Sequence, residues 1–226
     1  MNKTPIDYYK NNSDNFGWGI NNQIPEYKIK EIIPHISGKK ILDIGCGPGH
    51  FVDILSKQGF NAFGIDPVSE FIQYAQKNKK GNYQIGDATK TSFKSKEFDT
   101  VILKSVLEHL EDDKKALKEA LRIGKKVIFI VPQVTPLSLK RRGLVYSHYQ
   151  DKSHLRNYTQ KSVKELVKKS KGKLIKLIPI EPLPIMSIFL ELFSAPLLLK
   201  RIITKLFFLI FKQKNYYLEL LVIIRP

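Results

Sequence analysis

Ile41-Leu42-Asp43-Ile44-Gly45-Cys46-Gly47-Pro48-Gly49-His50-Phe51 is the stretch on which the reading of this chain turns. A short apolar run closes on an acid, then on three glycines at alternate positions, then on an apolar helical pattern. That order reads as a buried strand, a tight turn and a helix start. Glycine lacks Cβ, so it takes positive φ and lets a ligand lie against the backbone. The N–H groups of the turn and the helix N-terminus would then face that ligand. The turn alone is a modest signal; the acids that follow it in order, Asp66 and Asp87, strengthen it.

Outward from that stretch, strand and helix alternate. Phe51 to Lys57 continues as a helix ending near Gly59. Asn61 to Ile65 reads as a second strand closing on Asp66-Pro67, and Ser69 to Asn78 as a helix with Ser69 as its N-cap. Asn82 to Ile85 and Phe98 to Leu103 are the third and fourth strands. Asp112-Asp113 opens a charged helix through Arg122, acids first and bases last, as the helix dipole prefers. Lys126 to Val131 is a fifth strand, Thr159 caps a helix to about Ser170, and Lys173 to Ile180 and Tyr216 to Ile224 are the last two strands. Alternation without hairpin signals predicts a largely parallel sheet covered by helices on both faces.

Three segments stand outside this pattern. Residues 1–38 are aromatic and amide-rich, and from Ile24 to Ile36 they show helical apolar spacing. They read as an arm packed on the core or as a lid over the glycine turn, with Trp18 or Tyr9 toward ligand. Residues 132–158 form a long polar connection carrying Lys140, Arg141, Arg142, Tyr146, His148, Tyr149, Asp151, His154 and Arg156, the length of a functional loop. Residues 182–214 are overwhelmingly apolar, yet Glu191, Lys200, Arg201 and Lys205 keep every stretch below the roughly 18 uncharged residues of a spanning helix.

The 226 residues carry 38 Lys and Arg against 21 Asp and Glu, a formal charge of +17. Such a balance draws anions, whether nucleic acid, anionic lipid or an acidic partner, although a lysine-rich solvated surface explains it equally well. The lone Cys46 excludes an internal disulfide, and the polar run from Met1 to Asp14 has no apolar core of a secretory signal, so a cytoplasmic setting is expected.

Ligands of open α/β sheets lie beyond the carboxyl ends of the strands, which is where Asp43, Asp66 and Asp87 fall. Asp66 follows the glycine turn by about 20 residues, the spacing at which an acid reaches ribose hydroxyls. Gly-x-Gly-x-Gly rather than Gly-x-Gly-x-x-Gly counts against a nicotinamide cofactor and leaves another adenosine-bearing one. With Leu42 to Gly49, Gly64-Ile65-Asp66-Pro67, Gly86-Asp87-Ala88 and Phe98 to Leu103 followed by Val106-Leu107-Glu108-His109-Leu110, the chain resembles the class I S-adenosylmethionine-dependent methyltransferases over about residues 39–180.

The resemblance implies a single domain over 1–226. Its parts would be a 1–38 arm or lid, a 39–180 cofactor-binding core, a 182–214 apolar helical insertion and a 215–226 last strand. It implies a Rossmann-like, doubly wound seven-stranded sheet, mostly parallel with an antiparallel last strand. Gly45, Cys46, Gly47 and Gly49 would hold the methionine end of S-adenosylmethionine, and Asp43 its ammonium. Asp66 would accept from the ribose, Asp87 from the adenine amino group, with Pro67 and Ala88 against the ring and Lys104 presenting backbone. His109, His148 and His154 are the candidate bases. A metal site from His148, Asp151 and His154 is weighed and set aside, so no metal is expected.

The expected activity is methyl transfer to oxygen or carbon of a small-molecule or lipid-like acceptor. The alternatives are an RNA methyltransferase, which lacks a visible RNA-binding motif, and a non-catalytic cofactor-binding subunit. For 182–214 the readings are buried core, a homodimer interface and an anionic membrane surface. The narrow polar stripe and flanking bases favour the membrane surface.

Overall fold

A computed structural model of the chain describes residues 19–21, 24, 26–141, 149, 151–183, 196, 199, 202 and 216–226. Seven strands form one sheet: β1 (Lys40–Ile44), β2 (Asn61–Asp66), β3 (Asn82–Ile85), β4 (Phe98–Lys104), β5 (Gly124–Pro132), β6 (Lys173–Leu183) and β7 (Tyr216–Arg225). Their spatial order is β3-β2-β1-β4-β5-β7-β6. β1 pairs in parallel with β2 and β4, and β7 runs antiparallel to both β5 and β6. The expected sheet with one reversed last strand is thus present. Order reverses between β1 and β4, so the crevice for a ligand opens above their carboxyl ends.

The helices are α1 (Glu26–Ile32), α2 (His50–Lys57), α3 (Ser69–Asn78), α4 (Asp113–Ile123), α5 (Leu137–Lys140) and α6 (Gln160–Lys169). Strand alternation sorts the core into two layers. Ile41, Ile102, Ile128 and Ile130 meet Ile32 of α1, Phe51, Val52 and Leu55 of α2, and Ile72 and Ala75 of α3. Leu42, Val101, Leu103, Val127 and Phe129 meet α4 and α6 on the other face. β1 and β5 are buried on both sides, which is why they read as unbroken apolar runs.

Three local readings change. Val68, not Ser69, occupies the N-cap of α3, and the Ser69 hydroxyl donates to Glu70 instead. Val68 N donates to Asp66 Oδ1, so the acid at the end of β2 takes over the capping work. The helical spacing of 24–36 resolves into α1 and a 3-10 turn over Ile33–His35, where Pro34 removes a donor. β6 runs to Leu183, beyond Ile180, and tolerates Pro179 and Pro182 because it is an edge strand paired with β7 alone. The capping of α6 by Thr159 is as expected: it forms a capping box with Ser162.

Candidate active site at the carboxyl edge of the sheet

The glycine turn after β1 behaves differently from the simplest expectation. Gly45, Gly47 and Gly49 do adopt positive φ, at 72°, 53° and 81°. A Cβ on Gly45 would sit 2.5 Å from Val106 Cγ2, so the missing side chain lets the segment after β4 close against the turn. The turn's N–H groups, however, are spent inside the protein. Gly45 N and Cys46 N both donate to Ile65 O, Gly47 N to Asp66 Oδ2 and Gly49 N to Cys46 O. The glycines therefore serve conformation and clearance. Cys46 is buried, with Sγ against the position a Gly64 Cβ would take, and burial pushes its thiol well above the ordinary range.

Asp43 lies at the bottom of this edge, 1% exposed, and its Oδ1 has no hydrogen-bond partner among the described residues. Burial raises its carboxyl to about 7; Lys104 pulls it down and Asp66 pushes it further up. A buried carboxyl oxygen without a donor is costly in a closed protein and suited to one that receives a cation. Asp66 is also buried and raised by desolvation, against the donation from Val68 N and Gly47 N. Each of its oxygens keeps a second acceptor direction, so anchoring the turn does not exclude receiving a hydroxyl. Asp87 is exposed, with Oδ1 accepting from Thr89 N at 2.7 Å. Pro67 is exposed and Ala88 buried. These residues fit an adenosine-bearing cation: an orphaned acid below the turn, a half-committed acid at β2 and an open acid at β3.

Residues missed in the sequence frame the same edge. His50 Nε2 lies 3.2 Å from Gly19 O, tying the N-terminal arm to the start of α2. Trp18 and Tyr9, proposed for a lid, lie outside the described residues. Ser105, directly after β4, holds φ 54°, a strained conformation for a residue with a side chain, with its N–H on Ile130 O.

Beyond β4, His109 and His154 come together, their rings edge to face at 4.7 Å between centroids. His148 lies outside the described residues. The second half of the 132–158 connection is pinned to this spot. Leu155 N donates to Glu108 O, Arg156 donates to Leu110 O and Glu111 O, and the Tyr158 hydroxyl donates to Asp113. Asp151 Oδ1 accepts from Ser153 N and Ser153 Oγ, and Ser153 Oγ lies 2.9 Å from His109 Nδ1. Burial, then the His154 ring beside it, lowers His109 to about 4, so its imidazole is neutral at ordinary pH. Glu108 is 1% exposed with Oε2 lacking a partner among the described residues, and burial raises it to about 8. Nothing in the linear pattern marks Glu108 as buried, since acid followed by histidine reads as a solvated helix start.

A second buried acid, Glu219 of β7, accepts from Lys28 Nζ of α1 at 2.9 Å, with Glu181 3.6 Å from the same ammonium. Burial opposes that ammonium, but Glu219 and Glu181 outweigh it and hold Lys28 above its ordinary value. A surface cleft of about 340 Å³ lined by Ser37, Gly38, Asp99, Lys125, Lys126 and Arg225 lies at the opposite edge of the sheet, away from these acids.

Residues 42–130 match the family described as "Methyltransferase domain". Over 127 residues the chain is 27% identical to the demethylmenaquinone methyltransferase of Thermotoga maritima, covering 54% of this chain and 56% of that protein. It is 32% identical over 124 residues to the mitochondrial ubiquinone biosynthesis O-methyltransferase of Rattus norvegicus, covering 50% of this chain and 36% of that one. The matched region is less than two thirds of either relative's length. The fold superposes on an S-adenosylmethionine-dependent methyltransferase of Archaeoglobus fulgidus with a TM-score of 0.65 at 19% identity, over 89% of this chain and 92% of that one.

Proposed function

This chain belongs to the class I S-adenosylmethionine-dependent methyltransferases, and from that premise we propose that it methylates oxygen or carbon of a quinone-like small or lipid-like acceptor. The observation that carries the reading is Asp43, buried under the glycine turn with an oxygen that no described residue satisfies. The cofactor, when bound, supplies a methyl group already attached to a good leaving group. Asp43 is the acceptor for its ammonium and Asp66 for its ribose. Asp87 and Ala88 take the adenine, with Pro67 at the rim, and Lys104 and the glycine turn border the methionine end. The remaining work is to orient the acceptor, exclude water and take up a proton. His109 and His154, neutral and held by Ser153 and Asp151, stand beyond β4 to do so.

The acceptor class rests on the two quinone-pathway relatives and on the apolar 182–214 segment. Most of that segment lies outside the described residues, and among the described residues no helix is long and apolar enough to cross a membrane. We assign the segment to a membrane surface, apolar side down, with Lys200, Arg201, Lys205, Lys212 and Lys214 toward anionic head groups. Calorimetry tests the cofactor: S-adenosylmethionine and S-adenosylhomocysteine bind and NAD does not, and tight NAD binding alone would overturn the reading. Radiolabelled methyl from the cofactor should enter a phenolic quinone precursor. Incorporation into RNA instead would replace the acceptor class. Flotation with anionic vesicles tests the surface; a soluble stable dimer would make the segment an interface between copies.

A further inference from the structure

We propose that Glu108, His109 and His154 form a binding site for one divalent cation of the Zn²⁺ class. One ligand atom from each of the three lies within 4.8 Å of those of the other two. Two of the three residues are sequence neighbours on the 3-10 turn Leu107–His109, and the third arrives from the far end of the 132–158 connection. The connection is fixed there by backbone and side-chain bonds: Leu155 N to Glu108 O at 2.9 Å and Arg156 to Leu110 O at 2.6 Å. The site is thus built by the fold and does not depend on a chance rotamer.

The hydrogen bonds around the histidines set their tautomers. Ser153 Oγ donates to Asp151 Oδ1 at 2.6 Å, so toward His109 Nδ1 it acts as acceptor. His109 Nδ1 therefore carries the proton, and the lone pair is on Nε2. His154 turns Nε2 toward Asp151 Oδ2 at 3.6 Å, which places its lone pair on Nδ1. A carboxylate behind each ligating imidazole, directly or through a hydroxyl, is the arrangement that orients histidines on metals. Glu108 supplies the third ligand as a buried side chain with an oxygen that meets no donor among the described residues. Two imidazoles and one carboxylate suit Zn²⁺ and its first-row neighbours better than Mg²⁺ or Ca²⁺, which want oxygen. Three protein ligands also leave the ion a position for a further ligand. If the chain acts as proposed above, that ligand is the acceptor's hydroxyl, which bound to the ion releases its proton to water more readily.

The test uses the full chain, stripped with a chelator and kept without S-adenosylmethionine. Zn²⁺ should bind at one equivalent per chain by elemental analysis, and Co²⁺ alone should give the visible absorption of a low-symmetry site. Glu108→Gln and His154→Ala should abolish the cobalt signal, while Ser153→Ala should weaken binding about 10–100-fold. His35→Ala, on the 3-10 turn after α1, should leave both readouts unchanged. Circular dichroism and S-adenosylmethionine affinity show whether each variant is folded. Absence of stoichiometric binding by the wild type overturns the proposal, as does a cobalt signal that survives both ligand substitutions in folded protein. Failure of the metal site with cofactor binding intact leaves the methyltransfer reading standing; loss of cofactor binding in the wild type strikes that reading alone.

Discussion

The two edges of the sheet treat their acids in opposite ways. At the amino edge, Asp99 at the start of β4 accepts from Lys39 N, Lys40 N and Lys125 Nζ, and these bonds lower it to about 2. Glu97 beside it is lowered by Lys40 and Lys94 N. At the carboxyl edge, Asp43 and Glu108 are raised to about 7 and about 8 by burial, each with one oxygen that no described residue satisfies. Both edges lie on the same strands, so the contrast is one of partners. An acid saturated with donors holds the protein together. A buried acid short of donors costs stability and is kept where a ligand completes it.

The largest effect should come from Asp66→Ala. It removes a carboxylate from the ribose position and leaves Gly47 N and Val68 N without their acceptor. Cofactor affinity should fall by about 3 kcal/mol, roughly a hundredfold, by calorimetry. A change below threefold in folded protein would mean that Asp66 serves the turn alone. Next in size, Asp99→Ala should leave cofactor affinity unchanged and lower stability by about 1–2 kcal/mol in urea unfolding. That range discounts the lowered carboxyl for its partial exposure. The sign follows from linkage: a carboxyl lowered from 3.8 to about 2 stabilises above 3.8 and loses that contribution as pH falls through 2. If Asp99→Ala weakened the cofactor instead, the two edges would not be separable.

Much of this contrast was legible beforehand, and the part that was not has a physical cause. β3 over Asn82–Ile85 and the Thr159 cap of α6 follow from local pattern, because turn and cap residues act on their immediate neighbours. Asp43, Asp66 and Asp87 were placed by their distance from the glycine turn. What sequence could not supply is who meets whom across the chain. The turn N–H groups looked available until β2 brought Ile65 O and Asp66 against them. Glu108 looked solvated until Leu155 and the rest of the connection covered it. Lys28 and Glu219 are 191 residues apart and no spacing rule joins them.

A pH series sharpens the comparison at the carboxyl edge. Folded Asp43 titrates near 7 and its unfolded form near 3.8. Between those values the folded chain keeps a proton that the unfolded chain has released, so the Asp43 contribution to stability declines as pH rises from 3.8 to 7. A cationic ligand prefers the ionised acid. Cofactor affinity should therefore rise up to about tenfold, or 1.4 kcal/mol, per pH unit on approach to 7 and level off above it. Calorimetry between pH 5.5 and 8 reads this slope. Asp43→Asn should bind weakly with no slope; an unchanged slope in that variant would remove Asp43 from the ammonium site.

The smallest effect belongs to Lys125, the outermost partner at the amino edge. Its side chain is 61% exposed, although its ammonium lies 2.7 Å from Asp99 Oδ1. Water and salt screen such a pair, and ordering a lysine offsets part of the attraction, so Lys125→Ala should cost only about 0.5 kcal/mol. Asp99 loses one of three donors in that variant and keeps Lys39 N and Lys40 N, which the backbone of β1 fixes in place. Most of the Asp99 contribution should therefore persist without Lys125. A double-mutant cycle of Asp99→Ala and Lys125→Ala, read by urea unfolding at low and high salt, measures the share directly. A coupling near 0.5 kcal/mol that shrinks with salt assigns the stabilisation to the backbone donors. A coupling that equals the whole Asp99→Ala loss would make the amino edge depend on a surface charge pair, and its saturation by buried backbone would no longer explain why its acid is so low.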